Sequence, residues 1–399
     1  MNRHGVAMMT SAHAVDDMYQ GVVPALLPFL VTQRHYSYTA VAGLTLAATV
    51  LSSVAQPAFG WWTDRGPRRW MIPAGMVTAA TGVALAGFMS TYLLTWLVIA
   101  LAGLGIAAFH PEAARAARQA SGDNNRAMSL FAVGGNAGFA LGSLVATPVL
   151  LFAGLHGTAL LIVPALVMAM ILVTRLDTVL DGADGRRRAA PPTGTDNWPA
   201  FLKMTAVVIV RSIFFSALTS FLAIYLIHHL DASSALGGAA LTAFLIAGAL
   251  GTLLGGWVAD RTRRLTAIRL GFTLTVPAML GLALAADRPI ALLFTVLVGV
   301  GAFMPFGVFV MLGQDYLPNR IGTASGLTVG LAVSVGGLFS PLFGWIADLT
   351  SLHFMFATLI GLPALALVLS TFMREPRATE GTQPAKEEAA FTPDAVDAG

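Results

Sequence analysis

The chain has 399 residues, of which 56% are hydrophobic and only 11% charged, and its 23 Lys and Arg against 20 Asp and Glu give a formal charge of +3. A soluble domain carries about 25% charged residues, so a water-soluble globular fold is excluded, and the small positive excess gives no reading as a nucleic-acid binder. Cysteine is absent, which removes disulfides, thiolate metal sites and a cysteine nucleophile.

Apolar runs of about 20 residues, the length that crosses a bilayer as a helix, recur along the whole chain. They predict an all-α integral membrane protein with twelve transmembrane helices, near 6–32, 38–62, 70–89, 92–115, 127–151, 157–175, 200–228, 235–258, 266–285, 290–313, 322–347 and 352–373. The first run is long enough to span and lacks a small-residue cleavage site, so it is expected to stay as the first helix rather than leave as a signal peptide. Halfway along it stand Asp16 and Asp17. An aspartate at the centre of a membrane helix costs about 2.5–3.5 kcal/mol, so each needs water, a cation or a proton. His13, Asp17, Gln20 and Pro24 make one polar stripe, and His13, Asp16 and Gln20 make another one position round the helix. Spacing does not choose between the stripes. It also leaves two roles open: one carboxylate binds the coupling proton or the substrate, or both partner polar groups on neighbouring helices.

The second run closes on Gly60-Trp61-Trp62-Thr63-Asp64-Arg65, followed by Arg68-Arg69. In the fourth, Phe109-His110-Pro111-Glu112 brings a histidine, which titrates near neutral pH, close to a carboxylate. The pair can relay protons, or Glu112 can neutralise Arg115 and Arg118 at the interface. Two positions apart, His110 and Glu112 point to different faces and do not suggest a metal. The fifth run sets Gly134, Gly138 and Gly142 at the spacing for close helix contact, with Asn136 among them. Residues 176–199, with Arg186-Arg187-Arg188 and Pro191-Pro192, break the pattern as a cytoplasmic linker between six-helix halves at 1–175 and 200–374. Arg211, inside the seventh run, can bind a phosphonate or carboxylate through paired hydrogen bonds, or pair permanently with Asp16 or Asp17. The stretch 375–399 is rich in Ala, Pro and Glu and is expected to be a disordered cytoplasmic tail.

The eighth run repeats the frame of the second: Gly256-Trp257-Val258-Ala259-Asp260-Arg261 lies 196 positions later and is followed by Arg263-Arg264. A frame repeated at half the chain length is how transporters built from two parallel repeats are organised. At this offset Arg211 falls opposite Val15, beside Asp16, so the two intramembrane charges have nearly equivalent depths. With both termini cytoplasmic, every Lys and Arg except Arg34, Arg288 and Arg211 lies in a cytoplasmic segment, as the positive-inside bias requires, and the basic loops sit beside anionic lipid. No Walker-type phosphate loop is present, so an ion or substrate gradient rather than ATP is the implied energy source. The two-fold repeat and its charged frames suit alternating access and no nucleophile–base arrangement is visible, which together disfavour a membrane-embedded enzyme or small-molecule sensor.

The G-x-x-x-D-R frame with Arg68-Arg69, the twelve spans and the basic central loop resemble the major facilitator superfamily. Within it, His13-Ala14-Val15-Asp16-Asp17-Met18-Tyr19-Gln20, Gln56-Pro57, Phe109-His110-Pro111-Glu112 and Val133-Gly134-Gly135-Asn136 together resemble the fosmidomycin resistance proteins, which are drug exporters. Two departures stand out. Gly66 comes one place early, with Pro67 where the family's glycine stands, and Ser143 replaces the proline of a glycine-proline pair that antiporters often carry. The resemblance implies a monomeric secondary transporter of the cytoplasmic membrane, without cofactor or metal, that exports fosmidomycin-like drugs or small organic anions in exchange for protons; Ser143 leaves proton symport of an organic anion open. It places Arg211, His13, Gln20 and Asn136 at the substrate and Asp16, Asp17, His110 and Glu112 in proton coupling. It also implies that the second and eleventh helices meet on the cytoplasmic side. There Gly60, Asp64, Arg65 and Arg68 are expected to form a latch with Asp348, and Asp260 and Arg261 to act likewise against the fifth helix, holding the outward-facing state.

Overall fold

A computed structural model of the chain describes residues 2–121, 125–181 and 195–376, with regular structure that is helical throughout them. The helices are α1 (Arg3–Arg34), α2 (Tyr38–Asp64), α3 (Met71–Ala86), α4 (Tyr92–Ser121), α5 (Asn125–Ala153), α6 (Val163–Asp181), α7 (Trp198–His229), α8 (Ser234–Arg261), α9 (Arg264–Leu284), α10 (Arg288–Tyr316), α11 (Ile321–Leu349), α12 (Leu352–Leu359) and α13 (Gly361–Thr371). Most of the predicted linker and nearly all of the predicted tail lie outside the described residues, as does the side chain of Asp64.

Eight stretches among the described residues are long and apolar enough to cross a membrane, and the chain is an integral membrane protein. One of them, Leu130–Leu176, contains two predicted spans. A 3-10 segment, Gly154–Ile162, divides it into α5 and α6, beginning at Gly154, whose φ of +60° lies in the left-handed region. The last predicted span is likewise split, into α12 and α13. Met71–Ala86 and Val335–Leu349 are apolar but shorter.

Helix starts follow from local chemistry. Asn2, Ser37, Asn197, Ser233, Asp287 and Ser351 each accept a hydrogen bond from a backbone N–H three residues on, satisfying donors that the first turn leaves unpaired. Close packing comes from small residues. A Cβ on Gly134, Gly138 or Gly142 of α5 would run into the backbone carbonyl of Thr10, Ala14 or Met18 of α1, so the i, i+4 glycines let the two backbones touch. That contact carries the polar stripe of α1 against α5 and, on its other flank, α4.

Among the described residues, the hydrogen bonds that join α1–α6 to α7–α13 gather toward one end, the end away from the chain termini. The N–H groups of Tyr38 and Thr39 donate to the carboxylate of Asp348 at 2.9 and 2.8 Å, and the Thr39 hydroxyl adds a third bond at 2.6 Å. Deeper in, Thr45 bonds Ser220 at 3.0 Å, and on the other flank Ser143 of α5 donates to Gly238 O at 3.4 Å and accepts from Thr242 at 3.0 Å. The bundle is therefore bolted at this far end.

Asp348 corrects one expectation. It caps the first residues of α2, whereas Asp64 is that helix's last residue, about 39 Å away at 1.5 Å per residue. The two acids cannot share a latch. The reason is chain alternation: α11 starts at the end of the bundle that carries the termini and so delivers its last turn, with Asp348, to the far end. The bond joins α2 to α11 as expected, but on the opposite face, where it closes the far end instead of the end that holds the repeated frame.

Candidate substrate and coupling site

Asp17 is the centre of a compact cluster. Its Oδ2 lies 3.2 Å from His13 Nε2, one turn earlier on α1, and its Oδ1 lies 3.3 Å from His110 Nε2 on α4. Gln20, the next residue of the stripe, donates from its side-chain amide to Asp17 Oδ1 at 3.0 Å. Both imidazoles are anchored by their other nitrogen: Nδ1 of His13 is 2.7 Å from Phe131 O on α5, and Nδ1 of His110 is 2.9 Å from Ile106 O, one turn earlier on α4. A backbone carbonyl only accepts, so each Nδ1 carries a proton. Phe131 stacks on His13 with centroids 4.2 Å apart, and the Phe109 ring lies near-parallel to it with centroids 6.2 Å apart. Gly135 completes the fit, since a Cβ there would strike both Asp17 Oδ2 and the His13 ring.

The stripe left open by the sequence is thus the one through Asp17. Asp16 points elsewhere and is fully buried. His110 Nδ1 comes within 3.7 Å of its Oδ2, but that nitrogen is already committed to Ile106 O, and neither Asp16 oxygen accepts a hydrogen bond. At 3.7 Å the two groups are beyond hydrogen-bonding reach.

Glu112 does not join the cluster. It is buried, 3.6 Å from Arg115 Nη1, and that guanidinium donates to Thr63 O at 2.7 Å, fastening α4 to the last turn of α2. Asn136 is half-buried, one residue beyond Gly135 on α5.

Arg211 stands apart from these acids. Like Asp16 in α1, it is thirteen residues into its helix, roughly 20 Å from the helix start. It is 3% exposed, and its Nε donates to Ala302 O of α10 at 2.8 Å. The rings of Phe306, Phe303 and Phe215 surround the guanidinium at 5.1, 5.5 and 5.7 Å. No described carboxylate pairs with it, so a permanent bridge to Asp16 or Asp17 is not formed. Phe215 also packs on Phe139 of α5, centroids 6.0 Å apart, which sets Arg211 close to the junction of the two helix sets. The aromatic surround was not legible in the sequence, where phenylalanines in an apolar run look the same whether they face lipid, core or substrate.

At the repeated frame, Arg65 stacks on Trp61 at 3.4 Å and Arg261 on Trp257 at 4.0 Å, equivalent pairs at the repeat offset. Arg68 lies over Trp62 at 4.4 Å. Asp260 is exposed, and Arg264 pairs with Asp315. A Cβ on Gly60 or Gly256 would meet nothing within 4 Å.

A helical membrane bundle with polar side chains buried at matching depths in its first and seventh helices is the architecture of a secondary transporter. The Major Facilitator Superfamily sequence model matches residues 9–341, and the chain belongs to that superfamily. It is 31% identical to the fosmidomycin resistance protein of Escherichia coli K12 over 92% of this chain and 91% of that one. It is 30% identical to the uncharacterized MFS-type transporter YfnC of Bacillus subtilis over 89% of each. Among solved structures it is similar to a bacterial homologue of the human lysosomal transporter Spinster in an inward-facing, occupied conformation, with a TM-score of 0.78 at 14% identity, covering 95% of this chain and 98% of that one. The nucleoside transporter NupG gives a TM-score of 0.72 at 11% identity, covering 93% and 100%. The chain is a membrane transporter and not an enzyme.

Proposed function

We propose that the chain exports small organic anions, fosmidomycin-like drugs among them, across the cytoplasmic membrane in exchange for protons, with both termini cytoplasmic. The observation that carries this reading is Arg211: its guanidinium is buried at mid-depth, no carboxylate among the described residues pairs with it, and its paired N–H donors suit a phosphonate or carboxylate. The relative from Escherichia coli supplies the drug class.

Proton exchange is supported by hydrogen-bond accounting at Asp17. With Nδ1 of both histidines holding its proton against a carbonyl, a neutral ring would turn a bare Nε2 lone pair toward a carboxylate oxygen. Distances of 3.2 and 3.3 Å fit bonds only if a proton lies between. Asp16 accepts no hydrogen bond among the described residues and has only the His110 ring, 3.7 Å away, to offset a charge, so a proton on its carboxyl would also lower the cost of burial. His13 and Gln20, expected at the substrate, are better read as partners of Asp17, while Glu112 serves packing; Asn136 remains a candidate substrate contact.

Gly60, Asp64, Arg65, Arg68, Asp260 and Arg261 form the gate at the end that carries the termini. The open space over Gly60 and Gly256 supports this, because at both repeat positions a partner helix has room to approach when that end closes. Adding fosmidomycin to energised everted vesicles carrying a pH probe tests the reading. Proton release should follow with wild type and be lost in Asp16→Asn or Asp17→Asn; unchanged release in both variants and the double variant would overturn it.

A further inference from the structure

We propose that His13, Asp17 and His110 also form a three-ligand site for a divalent transition-metal ion of the zinc class. The inference goes beyond the transport reading and does not depend on it. Donation of each Nδ1–H to a carbonyl, to Phe131 O at 2.7 Å and to Ile106 O at 2.9 Å, is the outer-shell arrangement that metal-ligating histidines use to fix the tautomer and present Nε2. Both Nε2 atoms face one carboxylate, at 3.2 and 3.3 Å. Two ligands about 2.0–2.1 Å from a tetrahedral zinc ion lie about 3.3 Å apart, the separation of each ring from its own carboxylate oxygen, Oδ2 for His13 and Oδ1 for His110. The donor atoms of all three side chains fall within 4.8 Å of one another, and the Gln20 amide at 3.0 Å steadies Asp17 from the side.

The cluster is enclosed but not sealed. The side chains of His13, Asp17 and His110 are 10%, 14% and 26% exposed, which leaves an approach and a fourth position for water or an oxygen of an anionic solute. Two imidazoles and one carboxylate favour zinc, cobalt or nickel over magnesium and calcium, which take oxygen ligands. An ion in the site replaces whatever protons lie between the rings and the carboxylate, so metal and proton occupy it in turn.

The test is a Co²⁺ titration of the full chain in detergent, followed by visible absorption, with Zn²⁺ binding measured by calorimetry. The expected result is one ion per chain with the intense band of a tetrahedral cobalt site, undisturbed by excess Mg²⁺. His13→Gln and His110→Gln, on separate helices, should each weaken binding at least about tenfold, whereas His353→Gln, an exposed histidine outside the cluster, should leave it unchanged. Absence of the tetrahedral band in wild type would overturn the proposal, and so would binding that survives in His13→Gln and His110→Gln or that falls in His353→Gln.

Discussion

Arg211 and Asp17 are both buried, yet their surroundings prescribe opposite responses to substitution. An arginine at the centre of a membrane helix costs about 2.5–3.5 kcal/mol on insertion scales, and Arg211 has a single carbonyl and three ring faces to offset it. Arg211→Gln is therefore expected to abolish export while leaving the melting temperature unchanged or raised. Arg211→Lys should not rescue transport, because a point charge lacks the planar fork; lost export together with a lowered melting temperature in Arg211→Gln would instead mark the residue as structural. The sequence showed that charges lay at matching depths in the first and seventh spans. It did not show that they stay apart, nor that His110 meets Asp17, because spacing along one helix carries no information about which neighbour packs against it. The choice between Asp16 and Asp17 was hidden for the same reason: His13 and Gln20 are compatible with either stripe until α4 brings a third partner to one of them.

Among elements, the α1–α5 seam and the α2–α11 junction do different work. The glycines at i, i+4 on α5 were readable as a packing face, and they meet the backbone of α1. Gly138→Val would drive a branched side chain into Ala14 O, and overpacking of this kind costs about 1–3 kcal/mol. The expected outcome is a lower melting temperature and a disturbed Asp17 cluster, checked by thermal unfolding in detergent. At the α2–α11 junction, Asp348 caps two N–H groups of α2 from a different helix. Losing such a cap costs about 1 kcal/mol, which is about a fivefold change in a two-state population. Because the chain has no cysteine, a single reporter at Val41→Cys, a buried site just inside the far end, can read the change. Asp348→Ala should raise its labelling rate about fivefold; an unchanged rate would mean that the cap does not hold the far end closed. Helix alternation could have assigned Asp348 to that end from the span order alone, whereas the bonds Ser143 makes to α8 could not have been foreseen, since a serine gives no sign of its partner.

For the whole molecule, composition and apolar runs made the all-helical membrane architecture plain, and the repeated Gly-Trp-x-x-Asp-Arg frame raised the expectation of two halves. Most predicted spans lie within a few residues of a helix, but α4 and α6 run past their predicted ends to Ser121 and Asp181, the latter into the predicted linker, Gly154 starts a 3-10 turn, and the last span divides in two; eight stretches among the described residues are long and apolar enough to cross a membrane. Which end of the bundle is bolted is a property of one conformation, and a sequence that serves several conformations cannot display it. On the proposed reading, the Arg211 guanidinium and the Asp17 cluster serve exchange only if occupation of one alters the other through the swing of the helix sets. The direct measurement is fosmidomycin transport in proteoliposomes under two regimes, substrate counterflow at equal pH and accumulation driven by an imposed pH gradient. Wild type should do both, Arg211→Gln neither, and Asp17→Asn counterflow alone; gradient-driven accumulation that persists in Asp17→Asn, or counterflow that persists in Arg211→Gln, would contradict the account.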